Sequence, residues 1–445
     1  MRALLTDLYE LTMAAGFIAE GKHRATATFE LFARRLPANR KFLVAAGLQQ
    51  ALEYLQGLRF TAEEIAYLRG LTQFAQAPEE FFTYLQQFRF TGDVFAVAEG
   101  TPVFPGEPLL TVRAPLVEAQ IIETYLLSMV GFQTMIASKA ARVVEAAKGR
   151  SVVEFGTRRA HSPQAGALAA RAAYIGGCTG TSNAEAGLLY GIPVYGTAAH
   201  SWVQSFSDES EAFRALQKLM GESTVHLIDT YDTLEGARRA AAVGMPMWGV
   251  RIDSGDLGGL AREVRNILDA AGLPQAKIMV SGDLTEQRVR ALADENAPVD
   301  AMGVGTDLAT SGDAPNLSVV YKLVEIERDG IDIPVMKLSG GKATSPGRKQ
   351  VWRRVVDGRA IGDVIGLEDE QAPPDGRPLL VPVMRGGAVV ASAESLDTIR
   401  QRHHALVHEL PVPVLMLRAR ETYHVGRTYK LDTLTDYTGQ QLRDS

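Results

Sequence analysis

The stretch Ile192-Pro-Val-Tyr-Gly-Thr-Ala-Ala-His200 sets a histidine just beyond a short apolar run. Its first four residues are typical of a buried strand, and Gly196 and Thr197 are typical of the turn that leaves one. His200 is therefore expected near the carboxyl end of a parallel strand, where α/β proteins build their sites. A single histidine there could equally be a structural core residue, so the choice between the two roles depends on the other motifs in the chain.

Short apolar runs alternate with helix-like segments from Gly149 onward, without an internal repeat. The eight runs are Val152–Phe155, Ala173–Ile175, Ile192–Tyr195, His226–Ile228, Trp248–Ile252, Lys277–Val280, Ala301–Val304 and Val319–Val324. They predict an α/β fold with an irregular (β/α) barrel. An open doubly wound sheet is the alternative, but the dinucleotide glycine fingerprint and the Gly-Lys-Ser/Thr phosphate loop are both missing.

The two ends of the chain have a different pattern, with longer helices and strands. Helices are expected over 3–20, 44–55, 62–71, 116–147 and 394–409, and strands over 26–32, 93–97, 103–113, 351–356 and 379–384. The chain is therefore divided into three segments. Residues 1–115 are the N-terminal part of an α/β domain, 116–330 are the (β/α) barrel catalytic domain, and 331–445 are a C-terminal segment that packs with the N-terminal domain.

Composition narrows the class of protein. The 445 residues are 46% hydrophobic and 22% charged, as in soluble globular domains, and no segment has the length and purity of a membrane span. A net charge of −6 gives no support for nucleic-acid binding. One cysteine and an N-terminus without the features of an export signal lead us to expect a cytoplasmic protein.

Polar residues follow most of the apolar runs, at positions that a barrel would bring to one mouth. Gly303 and Gly305, with the Thr306 hydroxyl, would let backbone N–H groups approach phosphate oxygens. Arg158 and Arg251 offer planar guanidinium groups to a carboxylate or phosphate. The pattern therefore indicates a ligand with at least one phosphate and several hydroxyl groups.

Three aspartates in these positions suit a sugar diol or a magnesium ion, since carboxylates are hard ligands. They are Asp253, Asp256 and Asp283. Asp256 is equally suited to capping a helix that begins at Leu257.

Four motifs in this order resemble the nicotinate phosphoribosyltransferase family. They are Phe155-Gly-Thr-Arg-Arg, Gly196-Thr-Ala-Ala-His-Ser, Arg251-Ile-Asp-Ser-Gly-Asp and Gly303-Val-Gly-Thr. Asp7-Leu-Tyr-Glu-Leu-Thr-Met, Lys337-Leu-Ser and Pro346-Gly-Arg-Lys-Gln-Val extend the resemblance over nearly the whole chain. It implies a type II phosphoribosyltransferase fold, with an irregular barrel, an α/β domain from both chain ends, and a homodimer with shared active sites.

The resemblance also implies a reaction in NAD biosynthesis. Nicotinate and 5-phosphoribosyl 1-pyrophosphate would give nicotinate mononucleotide and pyrophosphate, driven by ATP hydrolysis through phosphorylation of His200. Magnesium is the expected cofactor, with ATP as co-substrate.

Roles for individual residues are carried over in the same way. Phe155 would stack on the pyridine ring, Tyr9 of the partner subunit would close its other face, and Arg158 with Thr197 would hold the ring and its carboxylate. Arg251 and Asp253 would join His200 as catalytic residues and bind the ribosyl pyrophosphate. The other expected binding residues are Ser281, Gly282 and Asp283 in the same pocket, and Gly303, Gly305 and Thr306 at the 5-phosphate.

Three rival interpretations remain. A nicotinamide phosphoribosyltransferase would carry a carboxylate for the amide in the segment matching 180–183, where this chain has no acid and where Arg159 adds a second arginine nearby. Quinolinate phosphoribosyltransferase shares the fold but needs neither ATP nor His200. A non-catalytic nucleotide-binding barrel would not be expected to keep His200, Arg158, Arg251 and Asp253 together.

Overall fold

The chain folds into two compact units in the computed structural model, which describes residues 3–340, 342–417 and 422–444. One unit contains both chain ends, Met1–Met135 with Asn316–Ser445, and is called the two-ended unit. The other, Ile136–Pro315, is called the barrel unit.

The helices and strands have the following bounds. The strands are β1 Thr26–Ala33, β2 Leu43–Val44, β3 Asp93–Val97, β4 Pro102–Val103, β5 Pro108–Pro115, β6 Ser151–Glu154, β7 Gly180–Thr181, β8 Val225–Leu227, β9 Gly249–Ile252, β10 Lys277–Val280, β11 Ala301–Val304, β12 Val319–Arg328, β13 Ile331–Pro334, β14 Lys349–Val356, β15 Arg359–Leu367, β16 Gly376–Pro378, β17 Leu380–Arg385, β18 Ala388–Val389 and β19 Val425–Arg427. The helices are α1 Leu8–Ala19, α2 Leu48–Gly57, α3 Ala62–Arg69, α4 Glu79–Gln87, α5 Leu116–Ile121, α6 Glu123–Ala146, α7 Pro163–Ile175, α8 Ala184–Tyr190, α9 His200–Gln204, α10 Glu209–Met220, α11 Thr233–Val243, α12 Leu257–Ala270, α13 Glu286–Asp294, α14 Thr306–Ala309, α15 Leu396–Glu409, α16 Val412–Leu415 and α17 Tyr429–Asp444.

The two-ended unit is built on a seven-stranded sheet in the order β13-β12-β1-β5-β3-β17-β18. Every pairing in it is antiparallel, and β1 lies between β12 and β5. The hydrophobic core of the unit joins this sheet to α1–α5, with Leu31, Val112 and Leu380 among its buried residues. Strands from both chain ends therefore share one sheet and one core.

The unit boundaries differ from the expected ones at 115/116 and 330/331. The first boundary moves to 135/136 because α5 and the start of α6 bury Val117, Ile121 and Leu126 in the core of the two-ended unit. The second moves to 315/316 because β12 pairs with β1, from Ala27 opposite Ile326 to Ala33 opposite Val319.

The barrel unit contains a six-stranded parallel sheet in the order β7-β6-β11-β10-β9-β8. Val153, Met279 and Ala301 form a cluster on one face of this sheet, and Phe155 and Trp248 pack against it. The predicted α/β fold with a barrel-like unit is therefore confirmed. No hydrogen-bonded pair of described residues joins β8 back to β7, so the barrel is irregular in its closure.

Two of the eight predicted barrel strands were wrong, and a third is reduced to a single parallel bridge. Ala173–Ile175 ends α7, an alanine-rich helix that starts with Pro163 and is capped by the Ser162 hydroxyl. Val319–Val324 lies in β12 of the other sheet. In the run 192–195, only Val194 forms a bridge, to Thr181, and its side chain is 47% exposed.

Most helices that start in the barrel unit are preceded by a residue whose side chain accepts a backbone N–H, because the first N–H groups of a helix lack partners. Asp232 accepts from Glu235 at 2.8 Å before α11, and Asn183 accepts from Ala186 at 2.8 Å before α8. Asp256 accepts from Gly259 at 3.3 Å. It therefore caps α12, which is one of the two roles expected for it.

None of the helices in the described part of the chain combines the length and the apolar character needed to cross a bilayer.

Candidate active site

A cavity of about 280 Å³ opens at the carboxyl ends of the parallel strands in the barrel unit. Its lining includes six of the residues expected from the sequence, together with Ser182, Gly196, Ala198, Ala199 and Leu227. The six are Phe155, Arg158, Thr197, His200, Arg251 and Asp253. Residues that are up to 98 positions apart in the chain thus meet in one place because parallel strands end at the same edge of a sheet.

Two positions around Phe155 require glycine, and one of them gives the aromatic ring its space. A Cβ added to Gly303 would lie 2.4 Å from Cδ2 of Phe155, so β11 must carry glycine there for the ring to fit. A Cβ added to Gly156 would lie 2.3 Å from the Ala309 Cβ, which explains the glycine directly after Phe155. The side-chain space of Gly303 therefore belongs to the aromatic ring, in addition to the phosphate role expected for its backbone.

Arg251 is the centre of the polar network in the cavity. Its guanidinium donates from Nε to Ser281 Oγ at 2.7 Å, from Nη1 to Thr197 Oγ1 at 2.8 Å and from Nη2 to Asp253 Oδ1 at 2.6 Å. The Arg251 Cζ also lies 5.6 Å from the centre of the Phe155 ring. Three loops and the aromatic ring are thus fixed by one planar cation.

Asp253 is held in its ionised form. Burial alone would raise the pKa of its carboxyl, but the hydrogen bond from Ser281 and the charge of Arg251 outweigh burial and lower that pKa below its usual value. Its Oδ2 accepts no hydrogen bond from a described residue and lies 3.9 Å from His200 Nε2. This oxygen is therefore available to a ligand.

His200 is the first residue of α9 and is held by a residue that the sequence analysis did not identify. Its Nδ1 lies 3.1 Å from Thr230 Oγ1, in the turn after β8. In the same turn, Asp229 Oδ2 accepts from the Asp253 N–H at 2.9 Å and from the Ser254 hydroxyl at 2.7 Å. One turn therefore positions both His200 and the loop of Asp253. The position of Thr230 directly after a predicted barrel strand is the sequence feature that could have identified it.

Arg158 and Arg159 lie in a short 3₁₀ helix after β6, and both side chains are exposed. Neither side chain makes a hydrogen bond or ion pair with a described residue. Arg158 lines the cavity and Arg159 does not. The cavity thus has one arginine that is free for a ligand and one, Arg251, that is paired.

The remaining predicted site residues do not line this cavity. Ser281 contacts it indirectly through Arg251, and Gly282 takes φ +94° with a backbone so close to Asp253 that a Cβ would lie 2.0 Å from its carbonyl oxygen. Asp283 is exposed, with φ +47°. Tyr9 belongs to the two-ended unit, on α1, where it is 45% exposed.

The backbone N–H groups of Gly305, Thr306 and Asp307 donate to no described residue. The Gly305 carbonyl accepts from Leu308 and Ala309, which turns the chain sharply after β11. Residues 305–307, which join β11 to the first turn of α14 and are called the loop 305–307, therefore present unpaired backbone donors beside the strand that carries Gly303, as an anion site requires.

No three histidine, cysteine or carboxylate side chains among the described residues are grouped as a metal site. Magnesium commonly binds through one or two carboxylates plus the phosphates of a substrate. The free Oδ2 of Asp253 fits that pattern, so the residues present are compatible with a magnesium ion that arrives with a phosphorylated ligand.

Comparison with known proteins defines the class first. Residues 4–131 match the family model of the nicotinate phosphoribosyltransferase N-terminal domain, and residues 136–314 match that of the quinolinate phosphoribosyl transferase C-terminal domain. The two matches correspond to a part of the two-ended unit and to the barrel unit, so the fold is that of the type II phosphoribosyltransferases.

Full-length relatives define the family. The chain is 45% identical to nicotinate phosphoribosyltransferase pncB2 of Mycobacterium tuberculosis, over 92% of this chain and 88% of the relative. It is 45% identical to nicotinate phosphoribosyltransferase of Bacillus subtilis, over 83% and 77%. The crystal structure of human nicotinic acid phosphoribosyltransferase superposes with a TM-score of 0.86 at 29% identity, covering 98% of this chain and 100% of that one. The chain belongs to the nicotinate phosphoribosyltransferase family, as the sequence motifs predicted.

Proposed function

We propose that this enzyme forms nicotinate mononucleotide and pyrophosphate from nicotinate and 5-phosphoribosyl 1-pyrophosphate, coupled to ATP hydrolysis through phosphorylation of His200. The observation that carries the proposal is the unpaired Arg158 in the cavity that also holds Phe155, Arg251 and Asp253. The activity named for the relatives agrees with this constellation.

The charge of the cavity favours an acid over an amide. Two arginines and a single carboxylate line it, and that carboxylate, Asp253, is already paired with Arg251. Arg158 therefore has its full charge available for the nicotinate carboxylate, to which guanidinium binds in bidentate geometry. The segment 180–183 presents Ser182 to the cavity and no acid, so a nicotinamide amide would lack a carboxylate acceptor there.

The chemistry needs positioning more than a strong base. The pyridine nitrogen attacks C1 of the ribosyl group, and the C1–O bond breaks with its electron pair leaving on pyrophosphate. Phe155 stacks on the pyridine ring, Arg158 and Thr197 orient it, and Asp253 binds the ribose hydroxyls. When bound, magnesium neutralises charge on the leaving pyrophosphate.

Recognition of the 5-phosphate falls to the loop after β11. The unpaired N–H groups of Gly305, Thr306 and Asp307 support this role, as does the Thr306 hydroxyl, which is exposed. Ser281 and Gly282 lie beside the site through their contacts with Arg251 and Asp253, and Asp283, the next residue, is exposed to a ligand.

The geometry at His200 supports a phosphoryl acceptor. Thr230 fixes one ring nitrogen, and the other has no hydrogen bond to a described residue. ATP transfers its γ-phosphoryl group to the imidazole and leaves as ADP, and hydrolysis of phosphohistidine later releases phosphate. The added dianion beside Arg251 and Asp253 would reorganise their contacts and favour productive binding.

A homodimer with shared sites is part of the proposal. The start of the chain exposes Leu5, Leu8, Tyr9 and Met13 by 39–54%, an apolar patch that a second copy would cover. In that assembly Tyr9 of the partner would close the face of nicotinate opposite Phe155.

A pair of neighbouring arginines tests the substrate assignment. Arg158→Met should raise the KM for nicotinate at least about tenfold, the loss expected for a charge-assisted hydrogen bond. Arg159→Met is the matched control and should change it less than about threefold. Wild-type turnover of nicotinamide or quinolinate instead of nicotinate, or equal effects of the two variants, would contradict the proposal.

A further inference from the structure

A buried ion-pair cluster lies behind the loop 305–307. Lys139 on α6 has a fully buried side chain, and its Nζ lies 2.7 Å from Asp307 Oδ2 and 3.0 Å from Asp313 Oδ1. The same ammonium donates to Glu286 Oε2 at 2.5 Å, and the Glu286 side chain is 1% exposed. One cation thus joins three carboxylates from different segments of the barrel unit.

Two of these segments continue the loops that bind the ribosyl phosphate in the proposed function. Asp307 ends the loop 305–307, and Glu286 begins α13 directly after the loop that contains Ser281 to Asp283. Arg142, three residues further along α6, pairs with Glu286 at 3.2 Å but not with Asp307. Among the described residues, Lys139 is the cation paired with Asp307.

The charge of Asp307 affects phosphate binding because this carboxylate lies beside the unpaired backbone donors of the loop. A carboxylate there would repel an incoming phosphate unless a cation compensates it. Burial raises the pKa of Asp307, while the nearby Lys139 ammonium opposes that rise. The ion pair therefore fixes the loop in place and offsets part of the charge of Asp307.

We infer that Lys139 is a positioning residue of the active site, which fixes the loop 305–307 and offsets the charge of Asp307 so that the loop can bind the 5-phosphate of the phosphoribosyl donor. The identity of that phosphate rests on the proposed function. Lys139 itself reaches the substrate only through Asp307 and the loop.

Three variants separate this role from a contribution to stability alone. Lys139→Met removes the cation, Lys139→Met with Asp307→Asn removes both charges, and Arg142→Met is the matched control that leaves Asp307 paired. Steady-state kinetics would give KM for 5-phosphoribosyl 1-pyrophosphate and for nicotinate, and calorimetry would give the affinity for ribose 5-phosphate without turnover. Thermal unfolding would be recorded for each variant.

The inference predicts that Lys139→Met weakens ribose 5-phosphate binding at least about tenfold, a difference of about 1.4 kcal/mol. KM for the phosphoribosyl donor should rise by the same factor. KM for nicotinate should change less than about threefold. The double variant should recover most of the loss, and Arg142→Met should stay within about threefold of wild type.

Other results would overturn it. Equal changes in KM for both substrates would show that Lys139 contributes to stability alone. The same loss of ribose 5-phosphate affinity in Lys139→Met and Arg142→Met would show this too. If Lys139→Met does not fold, the double variant decides. Tenfold weaker ribose 5-phosphate binding in the double variant would contradict the argument that Lys139 acts by offsetting the charge of Asp307. A wild-type protein that binds ribose 5-phosphate but makes no nicotinate mononucleotide would refute the proposed function and leave this test valid. No binding by wild type would refute the inference itself.

Discussion

Replacing Gly303 with alanine would test whether the position of the Phe155 ring controls the reaction. The added Cβ would lie 2.4 Å from Cδ2 and 2.6 Å from Cε2 of the ring, whereas ordinary contact begins near 3.4 Å. The ring must therefore move by about 1 Å, because β11 is fixed by its pairing of Gly303 with Val153 of β6.

The expected loss follows from that displacement. A shift of about 1 Å in a substrate-positioning group costs on the order of 10²-fold in rate. We therefore expect kcat/KM for nicotinate to fall about 10- to 100-fold in Gly303→Ala, with a loss of about 1–3 kcal/mol in the free energy of unfolding from overpacking.

The assay is steady-state formation of nicotinate mononucleotide, with thermal unfolding measured in parallel. Gly196→Ala adds the same methyl group to the cavity lining where nothing lies within 4 Å, so its kcat/KM should change less than about threefold. A folded Gly303→Ala variant with wild-type kcat/KM would refute the argument that this glycine sets the position of the ring.

Two further predictions concern the turn after β8 and the strand itself. Thr230→Val removes the hydroxyl that lies 3.1 Å from His200 Nδ1. It should lower the stimulation by ATP about three- to tenfold, the loss expected for one hydrogen bond, and leave the ATP-independent rate unchanged. A variant with full stimulation would show that this contact does not position His200. His226 is fully buried and has no hydrogen-bond partner among the described residues, and burial lowers its pKa to about 4. Because the unfolded state gains this proton near pH 6.5 and the folded state only near pH 4, stability should fall by roughly 3 kcal/mol as the pH drops through that interval. His226→Leu should remove this part of the pH dependence in urea unfolding, and an unchanged pH profile would contradict it.

The parts of the fold that follow from local pattern could be predicted from the sequence. The runs at β6 and β8–β11 are short, apolar and followed by polar turns, and each is a strand of the parallel sheet. Ala173–Ile175 has the same composition, but Ser162 and Pro163 start a helix ten residues earlier that includes it. Val319–Val324 is a strand whose partner, β1, lies almost three hundred residues away, so its sheet could not be assigned locally.

In the site, too, residues within local motifs could be predicted and contacts between distant segments could not. The sequence motifs identified Phe155, Arg158, Arg251 and Asp253, and the structure brings all four to one cavity. Contacts between distant segments had no local signal. Lys139 lies in the helix predicted over 116–147, but its pairing with Asp307 depends on how α6 packs in the barrel unit.

Formation of nicotinate mononucleotide by purified protein, with and without ATP, tests the account most directly. The wild type and His200→Ala would be supplied with nicotinate and 5-phosphoribosyl 1-pyrophosphate. We predict product from both proteins, stimulation by ATP in the wild type, and a lower rate in His200→Ala that ATP does not change. ATP stimulation that persists in His200→Ala, or a wild type that forms no mononucleotide from nicotinate, would contradict the proposed role of the cavity.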